Sequence, residues 1–290
     1  VKIKATGILP YKNIVFETGL SEDKWVRSIE VVPGDRSVVH HVLVFVLPPG
    51  SGNGPRGRAG GVDYWGIYVP GNSTQIYPEG FARRLPKNSR LKFQMHYTTN
   101  GSETEDTTKI GLIFADTEPA FEVKTASILN SRFRIPPGAS DHRVESSISI
   151  PADIEVLGYL PHHHLRGKAC RYELTTATGD KEVLLDVPRY DFNWQLFYQY
   201  AEPRTIPKGS RIEYTAWYDN SKENPANPDP TMEVGWGEQT YDEMHLGYIE
   251  YVEPVAGRAE DSKLGRPGDL ISRLDVNGDG EVTKAEILER

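Results

Sequence analysis

Short apolar runs separated by turn residues constrain the fold of this chain more than any other feature. Runs rich in valine, isoleucine and aromatic residues recur along it, and long amphipathic helical patterns are scarce. The 27 glycines and 21 prolines are scattered between these runs rather than clustered. Such a pattern is typical of β-strands joined by short loops. The chain is therefore predicted to be all-β, with its sheets packed as sandwiches.

The expected strands are distributed over the whole chain. They cover residues 14–18, 25–32, 38–47, 90–97, 107–116, 121–126, 142–150, 154–160, 170–174, 183–187, 192–200 and 211–218. The turn at 117–119 is expected to divide the chain into a first β-sandwich domain, 1–118, and a second, 119–254. Residues 255–290 are expected to form a linker and a short tail.

Charge and hydropathy exclude several classes of partner. The net charge is −8 and no basic stripe is present, so nucleic acid is not an expected partner. No apolar run approaches the roughly 20 residues of a membrane span. The sequence begins at Val1 and stops within a helical pattern, so it reads as a piece of a longer protein. The lack of a targeting segment therefore says nothing about its compartment.

Three consecutive histidines, His162 to His164, stand out in a chain that has only eight. Strand-like runs lie on both sides, at 154–160 and 170–174. Residues i and i+2 of a strand face the same way, so His162 and His164 are expected to project together and His163 to the opposite face. Two imidazoles on one face form half of a metal site, and solvated histidines at a strand end are the alternative.

A second pair of histidines, His40 and His41, interrupts the apolar run at 38–47. Burying two polar rings is costly unless both find partners, and a metal ion would satisfy both. The alternative is one buried, hydrogen-bonded ring and one exposed ring. Adjacent residues of a regular strand face opposite ways. Both rings can therefore bind one metal only if the strand bulges or one ring uses its other nitrogen.

The strand at 90–97 alternates apolar and polar residues. Its apolar face is expected to present Leu91, Phe93 and Met95, and its polar face Lys92, Gln94 and His96. This alternation places His96 beside Gln94, on the face away from the core.

The two kinds of sulfur side chain have different expected roles. Met244 is one of only three methionines and follows Asp242 and Glu243, an unusual setting for a core residue. The single cysteine, Cys170, excludes an internal disulfide. It lies six residues from His164, which on a strand is on the order of 20 Å. A buried, inert thiol is therefore expected rather than a metal ligand.

The segment 275–286 fits an EF-hand calcium loop at each diagnostic position. Gly280 makes the sharp turn and Thr283 occupies the ninth position. The expected calcium ligands are Asp275, Asn277, Asp279, Glu281 through its carbonyl, and Glu286. EF-hands usually occur in pairs, and only one copy is present.

The histidines, the glutamine and the methionine together form a specific ordered set. The motifs are His40-His41, Gln94-x-His96-Tyr97, His162-x-His164-x-x-Gly167-Lys168 and Asp242-Glu243-Met244. This set resembles the copper type II, ascorbate-dependent monooxygenases, the family of peptidylglycine alpha-hydroxylating monooxygenase and dopamine beta-monooxygenase. The resemblance covers roughly residues 10–252. It implies two jelly-roll-like β-sandwich domains in tandem, followed here by the short helical EF-hand-like tail.

The resemblance also implies a ligand set and an activity. His40, His41 and His96 would hold an electron-transfer copper, and His162, His164 and Met244 an oxygen-activating copper. Gln94 and Tyr248 match further family positions and are candidate catalytic residues with Met244 and the two histidines. The implied reaction is hydroxylation of a C–H bond of a small molecule with dioxygen and a reductant such as ascorbate. Imidazole suits both copper oxidation states, and a thioether favours Cu(I).

Two departures from the family pattern bear on the substrate. The peptide-specific enzyme has an arginine that grips the substrate carboxylate, and Leu160 stands at that position here. A family asparagine is replaced by Leu246, whereas the tyrosine is kept as Tyr248. A less charged or aromatic substrate is therefore expected instead of a glycine-extended peptide. The resemblance and the absent disulfides together favour a bacterial protein that is periplasmic or secreted, with an electron donor fused in the longer chain.

Three other classes of function are compatible with parts of the pattern. The first is a non-catalytic copper-binding or redox module of a larger protein. The second is a binding module in which a dockerin-like calcium loop docks a partner. The third is a zinc hydrolase, which the histidine and methionine set disfavours because zinc prefers cysteine, histidine and carboxylate.

Overall fold

The computed structural model describes residues 1–52 and 63–255. Within those ranges the regular secondary structure consists entirely of β-strands, so the all-β class predicted from the sequence is confirmed. The linker, the calcium loop and the helical tail predicted at 255–290 lie outside the described residues, apart from residue 255. Across the part of the chain that the structure describes, no helix could cross a membrane.

The described strands fall evenly on the two sides of the turn at 117–119. Before it lie β1 (Lys2–Ile3), β2 (Lys12–Glu17), β3 (Lys24–Val32), β4 (Val39–Leu47), β5 (Gly66–Tyr68), β6 (Thr74–Ile76), β7 (Phe81–Leu85), β8 (Arg90–Tyr97), β9 (Thr104–Glu105) and β10 (Lys109–Phe114). After it lie β11 (Phe121–Leu129), β12 (Arg134–Ile135), β13 (His142–Ser149), β14 (Ile154–His162), β15 (Gly167–Thr175), β16 (Lys181–Val187), β17 (Tyr198–Ile206), β18 (Arg211–Tyr218), β19 (Val234–Gly235) and β20 (Leu246–Pro254).

In the first half, a four-stranded sheet in the order β2-β8-β4-β5 packs against strands β10, β3 and β7. The core between them contains Val26 and Ile29 of β3, Val42 and Val44 of β4, and the alternating Leu91, Phe93 and Met95 of β8. The apolar face predicted for β8 is therefore the core face. The small two-stranded sheet β1-β9 lies beside this sandwich.

In the second half, the sheet β13-β18-β15-β16 packs against β11, β20, β14 and β17. The core is rich in tyrosine and includes Tyr159, Tyr172 and Tyr214. Cys170 lies in this core and is fully buried. Burial raises the pKa of its thiol to about 12, so the residue is the inert thiol that the sequence predicted.

One sheet runs through both halves, in the order β10-β3-β7-β11-β20-β14-β17. The halves join where β7 pairs in parallel with β11, with Phe81 opposite Phe121. A buried ion pair between Arg83 of β7 and Glu250 of β20 crosses the same junction. The boundary predicted at 117–119 remains a prediction, since a shared sheet neither requires nor excludes two independently folding units.

A separate apolar cluster lies between the halves and explains why β4 is apolar on both faces after its two histidines. Leu43 and Phe45 of β4 point away from the first core and pack with Leu160 of β14 and with Leu246 and Tyr248 of β20. Strand β4 is thus buried on both faces. Alternate residues of a strand face the same way, so His41 faces this interface with Leu43 and Phe45 of β4, and His162 faces it with Leu160 of β14.

One expectation about local structure is wrong. The run predicted as strand at 192–200 becomes strand only from Tyr198, and 192–197 is a loop. One of its apolar residues, Phe192, packs against the histidines described below instead of forming part of a strand. The polar face of β8 is largely buried, since Lys92 is 6% exposed and His96 only 2%.

Candidate metal centre

The first histidine group consists of His40, His41 and His96. Strands β4 and β8 pair so that His41 lies opposite His96, and the register shifts between Val39 and His41. His40 is the extra residue of this bulge, which turns its ring to the side of its neighbour. The asymmetry predicted for the adjacent pair is therefore confirmed as a bulge in the strand.

The Nδ1 atoms of this group converge. The Nδ1 of His41 lies 3.1 Å from that of His40 and 3.4 Å from that of His96. One nitrogen from each of the three rings lies within 4.8 Å of the other two, and all three residues are buried. Three converging nitrogen atoms suit a cation. These are the three rings that the family resemblance implies as a ligand set, and their placement is compatible with holding a metal ion.

The pKa values of this group favour metal binding over protonation. Burial lowers the pKa of His40 to about 4 and that of His96 to about 3, and it holds the pKa of His41 well below its usual range. The neighbouring imidazoles act in the same direction, since each ring would repel a second positive charge. At neutral pH the rings are neutral and can act as ligands.

The second histidine group consists of His162 and His164, whose ring centroids are 5.3 Å apart. His162 is the last residue of β14, and His164 lies just beyond it. Both rings are buried, and burial lowers the pKa of His162 to about 4 and that of His164 well below its usual range. The two rings lie together, as the strand parity of the sequence predicts.

Hydrogen bonds fix which nitrogen of each ring is free. Gln195 donates from Nε2 to the carbonyl of Phe192, 2.9 Å away, so its Oε1 is the acceptor that faces Nδ1 of His162 at 2.7 Å. The Nδ1 of His164 lies 3.3 Å from the carbonyl oxygen of Asp242. Both rings thus carry their proton on Nδ1. The Nε2 of His164 is buried without a partner, an expensive arrangement unless a metal binds there.

The two histidine groups adjoin one another. The ring centroids of His41 and His162 are 5.6 Å apart. Phe192 stacks on His40 at 4.3 Å and reaches towards His164, with 6.3 Å between the centroids. Since Phe192 belongs to the second half, the first group is partly covered by a loop of the other half.

The middle histidine, His163, belongs to a different environment. Its Nε2 lies 2.6 Å from the hydroxyl of Tyr214, and its Nδ1 lies 3.0 Å from the hydroxyl of Tyr218. The neighbouring His245 is similarly occupied, by the hydroxyls of Ser146 at 2.8 Å and Tyr218 at 3.2 Å. Both rings have partners at both nitrogens, so neither is a candidate ligand.

Met244 occupies a well-defined main-chain position beside this network. Its carbonyl accepts a 2.9 Å hydrogen bond from Tyr218, and its amide donates to Glu243 over 2.8 Å. The side chain is half-buried and packs against the apolar cluster between the halves. Its role as third ligand of the second group remains a prediction.

The other two predicted catalytic residues lie on strands close to this interface. Gln94 is half-buried on β8, where it pairs with Leu43 of β4. Tyr248 is buried in the apolar cluster, and its ring packs edge-on against Tyr64 at 4.9 Å. The hydroxyl of Tyr248 is buried without a partner. The predicted calcium ligands Asp275, Asn277, Asp279, Glu281 and Glu286 lie outside the described residues.

Sequence reasoning missed four residues that contact the histidines. Gln195 and Phe192 lie on the loop mistaken for strand. Thr240 contacts His96, with 2.8 Å between its Oγ1 and the ring Nε2. Tyr11 packs against the same ring at 4.6 Å. A polar residue inside an apolar run was the available signal for Gln195; nothing in the sequence singles out the other three.

Glu243 is a further residue whose role only the structure reveals. Its carboxylate accepts hydrogen bonds from the main-chain amides of His164, Arg166 and Met244. Burial raises its pKa to about 7, and the amide donors act in the opposite direction. The carboxylate therefore fastens the segment that carries Met244 to the segment that carries His164.

The structure is that of an all-β protein with two adjoining groups of buried histidines, and the first of them could hold a metal ion. Residues 124–262 match the family described as copper type II ascorbate-dependent monooxygenase, C-terminal domain. This match supports the family named by the sequence motifs. It includes the second histidine group and Met244, and it does not extend to the first group.

Other comparisons give little. No curated protein matches the chain in sequence. Among solved structures, the major capsid protein P2 of bacteriophage PM2 is similar at a TM-score of 0.34 and 8% identity, covering 87% of this chain and 95% of that one. A structure of infectious bursal disease virus, Gt strain, is similar at a TM-score of 0.25 and 10% identity, covering 82% and 58%. Likeness at this level carries no argument about this chain.

Proposed function

We propose that the chain is a copper-dependent monooxygenase that hydroxylates a C–H bond of a small organic substrate with dioxygen and an external reductant such as ascorbate. The observation that carries this proposal is the close approach of two histidine groups, in a chain whose second half matches the monooxygenase family. In the first group one nitrogen from each of three rings lies within 4.8 Å of the other two, and in the second group the Nε2 of His164 is buried without a hydrogen-bond partner.

The residues present fit two coppers. His40, His41 and His96 would hold one through Nδ1 atoms, and His162, His164 and Met244 would hold the other, with Nε2 atoms from the two rings. Copper at these positions supplies electron transfer and the activation of dioxygen, with the thioether favouring Cu(I) at the second position.

The chain's own residues orient these ligands and exclude water from them. Gln195 holds the proton of His162 on Nδ1 and so keeps Nε2 free. Phe192 covers the flat face of His40 and leaves that residue 8% exposed. Glu243 fixes the backbone of His164 and Met244 relative to one another. These contacts would hold the ligand side chains in their orientation when a metal is bound.

Two leucines support an apolar or aromatic substrate. Leu160 and Leu246 belong to the apolar cluster beside the second group, at positions where the peptide-specific relatives have polar residues. A charged substrate group placed there would be desolvated without a partner. Gln94 and Tyr248 are proposed as the residues that approach substrate or water between the two coppers.

The remaining proposals concern the cellular setting. We place the protein outside the cytoplasm, periplasmic or secreted, with an electron donor in the longer chain. The motif at 275–286 supports calcium binding by the tail.

Oxygen consumption tests the proposed function. The copper-loaded protein is expected to consume dioxygen in the presence of ascorbate. Met244→Ile is expected to abolish this consumption, because it removes the thioether. It should cost less than about 1.5 kcal/mol of stability. Met232→Ile is the matched control, since the Met232 side chain is 57% exposed.

A different result would favour another function. If the protein binds copper tightly and consumes no oxygen with any reductant, it is a non-catalytic copper-binding or redox module. If Met244→Ile retains the parent rate of oxygen consumption, the oxygen-activating site does not use this methionine.

A further inference from the structure

One hydrogen bond to the first histidine group comes from the second half of the chain. The Nε2 of His96 lies 2.8 Å from Oγ1 of Thr240, which occupies the turn just before Met244. The other nitrogen of the same ring, Nδ1, faces Nδ1 of His41 at 3.4 Å. A neutral imidazole carries one proton. If Nδ1 faces a cation, the proton is on Nε2, and the hydroxyl of Thr240 is its acceptor.

The segment 240–244 also contacts the second histidine group. The carbonyl of Asp242 faces Nδ1 of His164 at 3.3 Å. The carboxylate of Glu243 accepts the main-chain amides of His164 and Met244. Within five consecutive residues, this segment therefore contacts a ligand from each group and contains the predicted sulfur ligand.

We propose that Thr240 is a positioning residue that orients His96 and links the two metal sites mechanically. The inference rests on the proposed function, since it concerns how both coppers are held. A cation in the first group fixes the proton of His96 on Nε2 and strengthens its bond to Thr240. That bond restrains the segment that presents Met244. Filling the first group therefore tightens binding at the second, and by linkage the reverse holds equally.

The geometry favours this role over an incidental contact. His96 is 2% exposed, so an Nε2 proton without an acceptor would be buried and unsatisfied. Thr240 is half-buried and lies in a turn that is closed by a hydrogen bond from the amide of Asp242 to the carbonyl of Gln239. Removing an outer partner that fixes the proton of a ligating histidine typically lowers metal affinity about 10- to 100-fold.

Two variants of the full chain test the proposal. Thr240→Val keeps the shape of the side chain and removes the hydroxyl, and Thr240→Ser keeps the hydroxyl. With His162 and His164 replaced by alanine, copper binds at the first group alone. There Thr240→Val is expected to raise the Cu(II) dissociation constant about 10- to 100-fold and to change the copper hyperfine splitting in electron paramagnetic resonance. Thr240→Ser should restore both properties.

The link is measured with all histidines present. In the parent, filling the first group is expected to lower the Cu(I) dissociation constant of the second about fivefold or more. In Thr240→Val the two binding events should be independent. Equal affinities and spectra for the valine and serine variants would overturn the positioning role, and unchanged coupling in the valine variant would overturn the link. A parent that binds only one copper would instead refute the proposed function.

Discussion

Replacing Gln195 by leucine is expected to weaken copper binding at the second histidine group. The side chain is 3% exposed, and its Oε1 is the only observed partner of Nδ1 of His162 among the described residues, at 2.7 Å. Without it, the proton of His162 is no longer held on Nδ1 and can move to Nε2, the nitrogen needed by the metal. Loss of such an outer partner costs about 10- to 100-fold in affinity, or about 1.4 to 2.7 kcal/mol.

The same substitution should also destabilise the metal-free protein. It leaves an Nδ1 proton of His162 and the carbonyl of Phe192 without partners, at about 1 to 3 kcal/mol for a buried polar group. The two effects are separable, because one is measured by copper competition and the other by urea unfolding without metal. Gln195→Glu keeps the acceptor and should retain copper affinity, and Gln199→Leu, at an exposed position, should change neither quantity.

The pH dependence of the defect distinguishes tautomer from charge. Burial lowers the pKa of His162 to about 4, so its ring is already neutral at pH 7. For a group whose pKa falls on folding, proton competition grows only as the pH drops towards that lowered value. Raising the pH from about 7 to 8 should therefore not rescue Gln195→Leu. If the leucine variant binds copper within a factor of two of the parent, Gln195 does not set the tautomer of His162.

Three further predictions concern the fold, the stoichiometry and the tail. Arg83→Met should lower the free energy of unfolding in urea by about 3 to 5 kcal/mol, since it leaves Glu250 buried without its cation. Arg84→Met, at a half-exposed ion pair, should lower it by less than about 1 kcal/mol. Equal losses in the two variants would contradict this prediction. His96→Ala should lower the copper content, measured by metal analysis after dialysis, from two per chain to one, and an unchanged content would count against the first site. Asp275→Ala should abolish calcium binding in calorimetry, and a retained calcium isotherm would disprove the assigned loop.

The sequence predicted the structural features that depend only on residues close together in the chain. Alternation on β8 predicted the core residues Leu91, Phe93 and Met95, because a strand has a fixed period of two. The same rule showed that His40 and His41 could not share a metal on a regular strand, and the bulge at His40 follows.

Patterns that depend on the other half of the chain were not readable. The burial of the face of β8 that carries Lys92 and His96 was not predicted, because the residues that cover it are far away in sequence. The apolar residues at 192–197 suggested a strand, but Phe192 lies in a loop and packs on His40, which is distant in sequence. Thr240 and Gln195 act through single hydrogen bonds, which leave no periodic signal.

The central claim is that one chain holds two coppers, one bound by nitrogen alone and one by nitrogen and the Met244 thioether. X-ray absorption during an anaerobic copper titration tests it most directly. Two coppers per chain are expected, with a copper–sulfur shell that grows on reduction. In Met244→Ile this sulfur shell should disappear while the nitrogen shell of the first site remains. A single copper per chain, or a reduced protein with no sulfur shell, would contradict it.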